Sequence, residues 1–239
     1  MLLRGDLHIH STASDGSLSP RQIIMLAKSR GIDTIAISDH NSVDGILEAS
    51  RAGKKYGVSV IPAVELSSRF NGESIHILGY FRNEKFNNTD FIQILKLVKS
   101  HRVHELRKIL KGFREHPYYN KFLSSSEAIN LLRTFEAAVV LAHPVRISKK
   151  NLPRLLNMPF DGIEAKYCRN NDYDTKFFID LALKKFSFYT GGSDFHANIV
   201  NDIKHSNIGE PHLNSTEIRR FLKNSEALVL GSSVKYKNI

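Results

Sequence analysis

Short apolar, β-branched segments alternate with helical patterns along this chain, and this alternation restricts the possible fold more than any other feature. "SPRQIIMLAKSRG" has Ser19 as a helix N-cap, Pro20 at the first helical position and Gly31 as a stop signal, and "SVDGILEASRAGKKYG" ends at Gly57. The candidate strands are Leu2–His8, Thr34–Ser38, Ser59–Val64, Ser74–Tyr80, Ala138–Ala142, Gly162–Ala165 and Phe188–Thr190. This order predicts an α/β fold with a parallel sheet covered by helices, and seven strands in one domain predict a closed or nearly closed barrel.

The pattern changes between Asn83 and about Glu136, where we find no candidate strand. "FIQILKLVKSHRVHELRKILKGF" predicts one long amphipathic helix, and "SSSEAINLLRTF" predicts a shorter helix capped near Ser125. We therefore interpret residues 83–136 as a helical insertion in a single domain that spans residues 1–239.

Composition limits the class of protein. A chain of 239 residues with 41% hydrophobic content can bury a sizeable core. No stretch reaches the roughly 18 apolar residues of a membrane span, and "MLLRGDLHIH" becomes polar too early for a signal peptide. Cys168 is the single cysteine, which excludes an intramolecular disulfide and favours a cytoplasmic location. The net charge of +10 favours anionic ligands such as phosphates or nucleic acid, and no obligate protein partner is evident.

The stretch "DLHIH" contains two histidines at alternate positions. In a strand, His8 and His10 would point to one face, and Leu7 and Ile9 to the other. Paired imidazoles in a buried place are costly unless something binds their lone pairs, so a metal ion is one interpretation and a surface edge strand is the other.

Further potential ligands follow the ends of the other candidate strands. Taken one at a time, His76 could be a core histidine, Glu65 a helix cap and Asp15 a turn residue. Their shared register at one end of the sheet favours a metal site instead, because chemistry in barrels collects at the C-terminal ends of strands. The nine candidates are His8, His10, Asp15, His40, Glu65, His76, His143, Asp194 and His196.

Seven motifs together resemble the PHP (polymerase and histidinol phosphatase) superfamily. They are "DLHIHSTASDG", "ISDHNSVDG", "PAVELS", "IHILGY", "LAHP", "DGIEA" and "GGSDFH". The resemblance covers nearly the whole chain except the insertion, and it implies a distorted (β/α)7 barrel that binds two or three divalent ions and hydrolyses phosphoesters. Among family members, the motifs of this chain are most similar to the nucleotide phosphatase and RNase AM-like branch.

The resemblance also implies which residues bind each ion. His8, His10, Glu65 and Asp194 would hold the first ion, Glu65 would bridge to a second held by His76 and His143, and Asp15, His40 and His196 would hold the third. Many relatives have a histidine where this chain has Asp15, and a carboxylate favours harder ions there. Mixed His, Asp and Glu ligands suit manganese, zinc or iron, with magnesium possible.

Other residues next to these ligands have two interpretations or a proposed structural role. Asp39 either orients an imidazole or caps the following helix. Pro144 would fix the backbone after His143, and Gly191–Gly192 would allow a tight turn that directs Asp194 and His196 inward.

We expect hydrolysis of phosphate monoesters, with nucleotides, nucleoside 3′,5′-bisphosphates or the 5′ ends of short oligonucleotides as substrates. The predicted catalytic residues are Asp194, His196, His40 and Glu65. The alternatives are a histidinol-phosphate phosphatase, a 3′–5′ exonuclease, and a metal-binding or nucleic-acid-binding module that has lost catalysis.

Arginines on strand-end loops and on the insertion are candidates for substrate binding, because a guanidinium matches phosphate oxygens. We predict this role for Arg102, Arg146 and Arg169. The predicted long helix is rich in cations, and the alternative is that they form a solvated face. These cations are Lys96, Lys99, Arg102, Arg107, Lys108 and Lys111.

Overall fold

The structure, a computed structural model, describes residues 4–109, 121–197 and 206–231. Leu2, which begins the predicted first strand, and Lys111 lie outside these residues. The strands are β1 (Arg4–Ile9), β2 (Thr34–Ile37), β3 (Ser59–Phe70), β4 (Glu73–Phe81), β5 (Leu123–Ser124), β6 (Ala137–Leu141), β7 (Gly162–Tyr167), β8 (Phe188–Gly192) and β9 (Leu213–Asn214). The α-helices are α1 (Pro20–Ser29), α2 (Ile46–Tyr56), α3 (Thr89–Lys99), α4 (Val103–Ile109), α5 (Ser125–Thr134), α6 (Leu152–Leu155), α7 (Asp172–Lys185) and α8 (Ser215–Ser225). Two short 3₁₀ helices are Glu84–Asn87 and Pro144–Arg146.

One sheet holds all these strands in the order β8-β7-β6-β4-β3-β2-β1-β9, with β5 paired to β3. The segment that follows β8 at one edge of the sheet returns to β1 near the other edge. Ile9 forms a parallel bridge with Phe195, Asp194 N donates to the His8 carbonyl, and His10 N donates to the Phe195 carbonyl. These contacts nearly close the barrel, which confirms the predicted architecture.

Strand β4 departs from the predicted parallel arrangement. It runs antiparallel to both β3 and β6, whereas β1-β2-β3 and β6-β7-β8 are parallel sets. The cause is the short Asn71–Gly72 connection, because two residues can join only antiparallel neighbours. The reversal brings the first half of β4 to the barrel end where the parallel strands finish. His76 therefore joins the other candidate ligands from a mid-strand position.

The helices begin where the sequence provides side-chain caps. Ser19 caps α1, as the sequence predicts, and the structure adds a reciprocal capping box with Gln22. Ser124, one residue before the predicted position, caps α5 through the same arrangement with Glu127. Capping boxes satisfy backbone donors that the first helical turn leaves unpaired, so these boundaries are readable from sequence.

The insertion contains two corrections to the sequence interpretation. The predicted long helix is broken into α3 and α4, because His101 adopts a left-handed backbone (φ 59°) and Arg102 N donates back to the Leu97 carbonyl. This is a Schellman-type helix end with histidine at the position that usually holds glycine, so no sequence breaker marked it. Leu123–Ser124 forms a short strand beside β3, where no strand was predicted.

Within the described residues, no helix combines the length and the apolarity needed to cross a membrane. The assignment of the whole chain to a single domain stays a prediction.

Candidate metal centre

The nine candidate ligands meet at one end of the barrel. Three groups of donor atoms form there, and within each group the atoms lie within 4.8 Å of one another. The groups are His8, His10, Glu65 and Asp194; His40, Glu65 and His76; and His10, Asp15, His40 and His196. The first group has the composition that the family resemblance implies. In the second group His40 takes a place expected for His143, and in the third His10 adds to the three expected ligands.

Glu65 is the centre of the cluster. Its Oε1 lies 3.0 Å from His143 Nε2 and 3.4 Å from both His8 Nε2 and His76 Nδ1. Its Oε2 lies 3.0 Å from His40 Nδ1 and 3.3 Å from His10 Nε2. One buried carboxylate thus faces five imidazoles, which places it where a carboxylate bridging two cations would lie.

Several of these atoms are close to one another without forming hydrogen bonds. His10 Nδ1, His40 Nδ1, His76 Nδ1 and Glu65 Oε2 are buried, and none has a hydrogen-bond partner among the described residues. Unsatisfied buried polar atoms are costly. Nitrogen and oxygen lone pairs that converge in this way are the donor set of a divalent transition metal. The residues present therefore fit the metal ions that the resemblance implies.

Electrostatics keeps the ligand carboxylates ionised. Burial alone would raise the pKa of Glu65 and of Asp194, but the surrounding histidines hold both well below the usual range. Burial lowers the pKa of His40 to about 3, helped by His10 and His76. His40 is therefore neutral, which is the form that binds a metal.

His8 and His10 show the opposite balance. Burial opposes their protonation, yet the carboxylates of Glu164, Glu65 and Asp194 raise the pKa of His8, and Asp194 and Glu65 raise that of His10 to about 9. An ion that binds these two imidazoles therefore displaces protons from them.

Two buried carboxylates support the ligands, and the sequence interpretation gave neither a role. Glu164 accepts from His8 Nδ1 at 2.9 Å, which turns His8 Nε2 towards the cluster, and from His143 N at 2.8 Å. Asp6 accepts from the Ser193 backbone N–H and hydroxyl and from Gly209 N, tying β1 to the segment that carries Asp194. The sequence signal for these roles was that Glu164 lies within the motif "DGIEA" and Asp6 within "DLHIH".

Two ligands sit on strained backbone. His143 and Asp194 have φ values of 30° and 53°, in the left-handed region that side chains rarely adopt. Such conformations cost about 1–3 kcal/mol and concentrate at functional sites. Here the hydrogen bonds from His143 N to Glu164 and from Asp194 N to the His8 carbonyl hold them.

Asp39 and the glycine pair act differently from their predicted roles. Asp39 neither orients an imidazole nor caps a helix, because its carboxylate accepts from Ser11 N, Ser11 Oγ and Ser14 Oγ, fixing the loop that carries Asp15. Gly191–Gly192 lies within β8 and forms no turn. A Cβ on Gly192 would lie 2.4 Å from the His8 Cβ, so glycine is required there by the close approach of β1.

The predicted substrate-binding arginines occupy different environments. Arg146 is at the cluster, with its guanidinium 3.8 Å from Asp194 Oδ2 and 3.4 Å from the Tyr167 hydroxyl, which itself donates to Asp194 at 3.0 Å. Arg102 is exposed and forms a two-pronged ion pair with Glu105 at 2.6 and 2.7 Å. Arg169 is exposed after β7. A substrate role for each arginine stays a prediction.

Comparison with known families matches residues 6–181 to the PHP domain. The 5′–3′ exoribonuclease of Haemophilus influenzae is 38% identical over 107 residues, which cover 44% of this chain and 39% of the relative. The phosphoribosyl 1,2-cyclic phosphate 1,2-diphosphodiesterase of Eggerthella lenta is 24% identical, covering 80% of this chain and 93% of that enzyme. The chain thus spans well under half of the first relative and nearly all of the second.

A solved structure named as a metal-dependent phosphoesterase, from Bifidobacterium adolescentis, has the same fold. It superposes with a TM-score of 0.72 at 20% identity, covering 92% of this chain and 96% of that one. At this level of identity the likeness shows a shared fold alone.

Proposed function

The chain belongs to the PHP family, and we propose that it is a metal-dependent phosphoesterase that acts on nucleotides. The substrates would be phosphate monoesters, namely mononucleotides, nucleoside 3′,5′-bisphosphates or the 5′ ends of short oligonucleotides.

The cluster of nine ligands carries this proposal. A phosphate monoester is an anion that resists nucleophilic attack until its charge is neutralised. Two or three divalent ions at these ligands would neutralise the phosphate oxygens and activate a water. Buried donor atoms that face one another without hydrogen bonds, as Glu65 Oε2 and His40 Nδ1 do, support that use of the site.

The chain's own residues would then have distinct roles. Glu65 and Asp194 would supply the negative charge that holds the ions, and His40 and His196 would lie at the more exposed side of the cluster, where the substrate enters. We propose these four as the catalytic residues. Arg146, already within 3.8 Å of Asp194, would contact the phosphate.

Manganese, zinc and iron are the proposed ions, with magnesium possible. The His-rich first and second groups suit zinc, manganese or iron. The group with Asp15 adds an exposed carboxylate, whose pKa the neighbouring His196, His40 and His10 hold well below the usual range despite partial burial. Asp15 is thus an ionised oxygen ligand suited to a harder ion such as manganese.

Three features support a nucleotide substrate. The net charge of +10 attracts anions, and Arg146 offers a phosphate contact. Of the two relatives described above, one is named as an exoribonuclease and the other as a phosphoribosyl cyclic phosphate diphosphodiesterase.

A catalytically decayed module should lack some ligands, whereas all nine are brought together here. A cytoplasmic location, which rests on the single cysteine, is part of the same proposal.

A substrate panel tests the proposal. The protein supplied with Mn²⁺ would be assayed on 4-nitrophenyl phosphate, histidinol phosphate, 5′-mononucleotides, nucleoside 3′,5′-bisphosphates, and 5′-phosphorylated and 5′-hydroxyl RNA. We expect the highest kcat/KM on a nucleotide. A preference for histidinol phosphate, or release of nucleotides from the 3′ end of RNA, would replace the proposal with one of the alternatives. No hydrolysis of any ester would favour a binding module.

A further inference from the structure

A cleft of about 190 Å³ lies beside the metal cluster, between the β3–β4 hairpin and the insertion. Its lining includes Asn41, Ser67, Arg69, His101, Lys121 and Phe122. Two of the lining residues, Arg69 and Lys121, are cations, and no Asp or Glu is among the described residues that line the cleft. The sequence interpretation gave none of these residues a role.

The cleft is continuous with the metal cluster along one face of β3. Side chains alternate along a strand, so Glu65, Ser67 and Arg69 share a face. Ser67 is also paired in register with His76. Four residues of strand put the Glu65 and Arg69 Cα atoms about 13 Å apart. A group the size of a nucleotide, longer than a single phosphate, can therefore contact both ends.

Asn41 fixes the near end of the cleft. Its amide donates to Ser67 Oγ at 3.1 Å and accepts from Ser67 N at 3.0 Å, and its own backbone N–H donates to the Glu65 carbonyl. It adopts φ 49° directly after the ligand His40. The near end of the cleft is therefore rigidly joined to two of the metal ligands.

Arg69 supplies the anion-binding chemistry at the far end. Its guanidinium lies 4.6 Å from the centre of the Phe122 ring. Among the described residues no carboxylate pairs with this guanidinium, in contrast to Arg102 and Arg107. Stacking against an aromatic ring leaves the N–H fork of an arginine available in its plane. Lys121 beside it is exposed.

A buried ion pair holds the Phe122 end in place. Arg107 donates to the Phe122 carbonyl at 2.9 Å and forms a two-pronged ion pair with Glu127 at 2.7 and 2.8 Å. The His101 ring meets the Phe122 ring edge-on, with centroids 5.0 Å apart. The aromatic surface is thus preorganised.

We propose that this cleft binds the second phosphate of the nucleotide substrate, the one adjacent to the phosphate held at the metal cluster, through Arg69 with support from Lys121. Its volume is below the roughly 300 Å³ of a site for a whole drug-sized ligand, which suits one phosphate and its sugar. The enzyme would then prefer nucleoside bisphosphates and 5′-phosphorylated RNA over mononucleotides. This inference rests on the proposed function and names Arg69 as the residue that sets specificity.

Arg69→Ala tests the inference. With Mn²⁺ bound, we expect its kcat/KM on a 5′-phosphorylated diribonucleotide to fall about 10-fold to 100-fold, the range for a lost hydrogen bond to a charged group. The loss should lie mainly in KM, and kcat/KM on 4-nitrophenyl phosphate should change less than twofold. Arg69→Lys, which retains the charge and loses the fork, should fall between the two.

Arg154→Ala is the matched control. Arg154 stacks over Phe70, the next residue of β3 and on its other face, with 5.6 Å between guanidinium and ring centre. The Arg154→Ala variant removes a similar arginine–phenylalanine contact away from the cleft, and kcat/KM on both substrates should stay unchanged. Equal losses for Arg69→Ala on the two substrates, or equal losses for Arg69→Ala and Arg154→Ala, would overturn the inference.

A binding measurement separates this inference from the proposed function. Fluorescence anisotropy of a labelled 5′-phosphorylated diribonucleotide would be measured with wild type and Arg69→Ala in Mn²⁺. Weaker binding by the variant, without any hydrolysis by wild type, would support the cleft and reject the enzyme. Equal affinity, or no binding by wild type, would reject the cleft whatever the enzyme hydrolyses.

Discussion

Two groups of buried charged residues in this protein are built in opposite ways. In the insertion, Arg107 and Glu127 form an ion pair with each other. Arg107 also donates to the Phe122 carbonyl, and Glu127 also accepts from Ser124 N, just before α5. At the barrel end, by contrast, Glu65 faces five imidazoles, and several buried nitrogen and oxygen atoms lack hydrogen-bond partners. The central residue of each group, Arg107 in the insertion and Glu65 at the barrel end, is almost fully buried.

The difference separates stability from function. A buried ion pair whose members are all hydrogen-bonded is sensitive to loss of either partner, because the other charge is left buried alone. A cluster that is left unsatisfied by its own chain gains its partners from a ligand. We therefore expect changes in the insertion pair to alter folding, and changes in the barrel cluster to alter catalysis.

The largest effect should come from removal of the metal ions. Hydrolysis of 4-nitrophenyl phosphate should vanish after dialysis against a chelator and return when Mn²⁺ is added. Circular dichroism of the stripped protein should show that the fold is retained. Undiminished hydrolysis by protein shown by elemental analysis to be free of metal would contradict the proposed use of the cluster.

Asp194→Ala and His10→Ala should each abolish turnover, because each removes a ligand of the first group. Neither side chain contributes to the apolar core, so both variants should fold, with thermal denaturation midpoints in chelator close to that of the chelator-treated wild type. Metal content per chain, measured beside activity, should fall together with turnover in each variant. Near-native rates in either variant would show that the first group is assigned wrongly.

Arg107→Ala should destabilise the protein by about 3–5 kcal/mol, the usual cost of breaking a buried pair, as measured by urea unfolding. The matched variant is the double replacement Arg107→Met with Glu127→Leu, which removes both charges and should recover part of the loss. If the double variant were less stable than either single variant, the buried charge would not be the cause.

A smaller effect should be the loss, at low pH, of the unfolding free energy that ionised Glu127 contributes. Burial would raise the pKa of Glu127, but Arg107 and the backbone N–H and hydroxyl of Ser124 hold it below its ordinary value. A lowered pKa contributes stability above the unfolded value of about 4.3 and loses it as the pH falls through the folded value. The difference in unfolding free energy between wild type and Glu127→Gln should therefore shrink as the pH drops from 7 to 3. A difference that is constant with pH would contradict this account.

The smallest change in folding should come from Arg102→Ala. Its ion pair with Glu105 is on the surface, so urea unfolding should not change measurably. If Arg102 binds substrate, KM should rise for bisphosphorylated or oligonucleotide substrates and far less for an aryl phosphate. Equal losses on both substrates, or no loss on either, would leave this part of the insertion as a cover for the barrel.

Sequence patterns predicted the parallel strands, the capped helices and all nine candidate ligands because each depends on local spacing. Alternation in "DLHIH" places two imidazoles together, and Ser19 followed by Pro20 defines a helix start. The break at His101 was missed because it arises without glycine, and β5 was missed because two residues carry no strand period. The roles of Glu164 and Asp6 were missed because their partners are far away in the chain.

The sequence by itself determined which side chains are candidate metal ligands and which segments form the barrel, since ligand chemistry and periodicity are properties of short stretches. Only the tertiary structure decided how the ligands group around Glu65, because the reversed strand β4 sets the position of His76. It also decided that Asp39 fixes a loop and that Gly192 is needed where two backbones approach. Those outcomes depend on contacts between segments far apart in the chain, which local patterns do not encode.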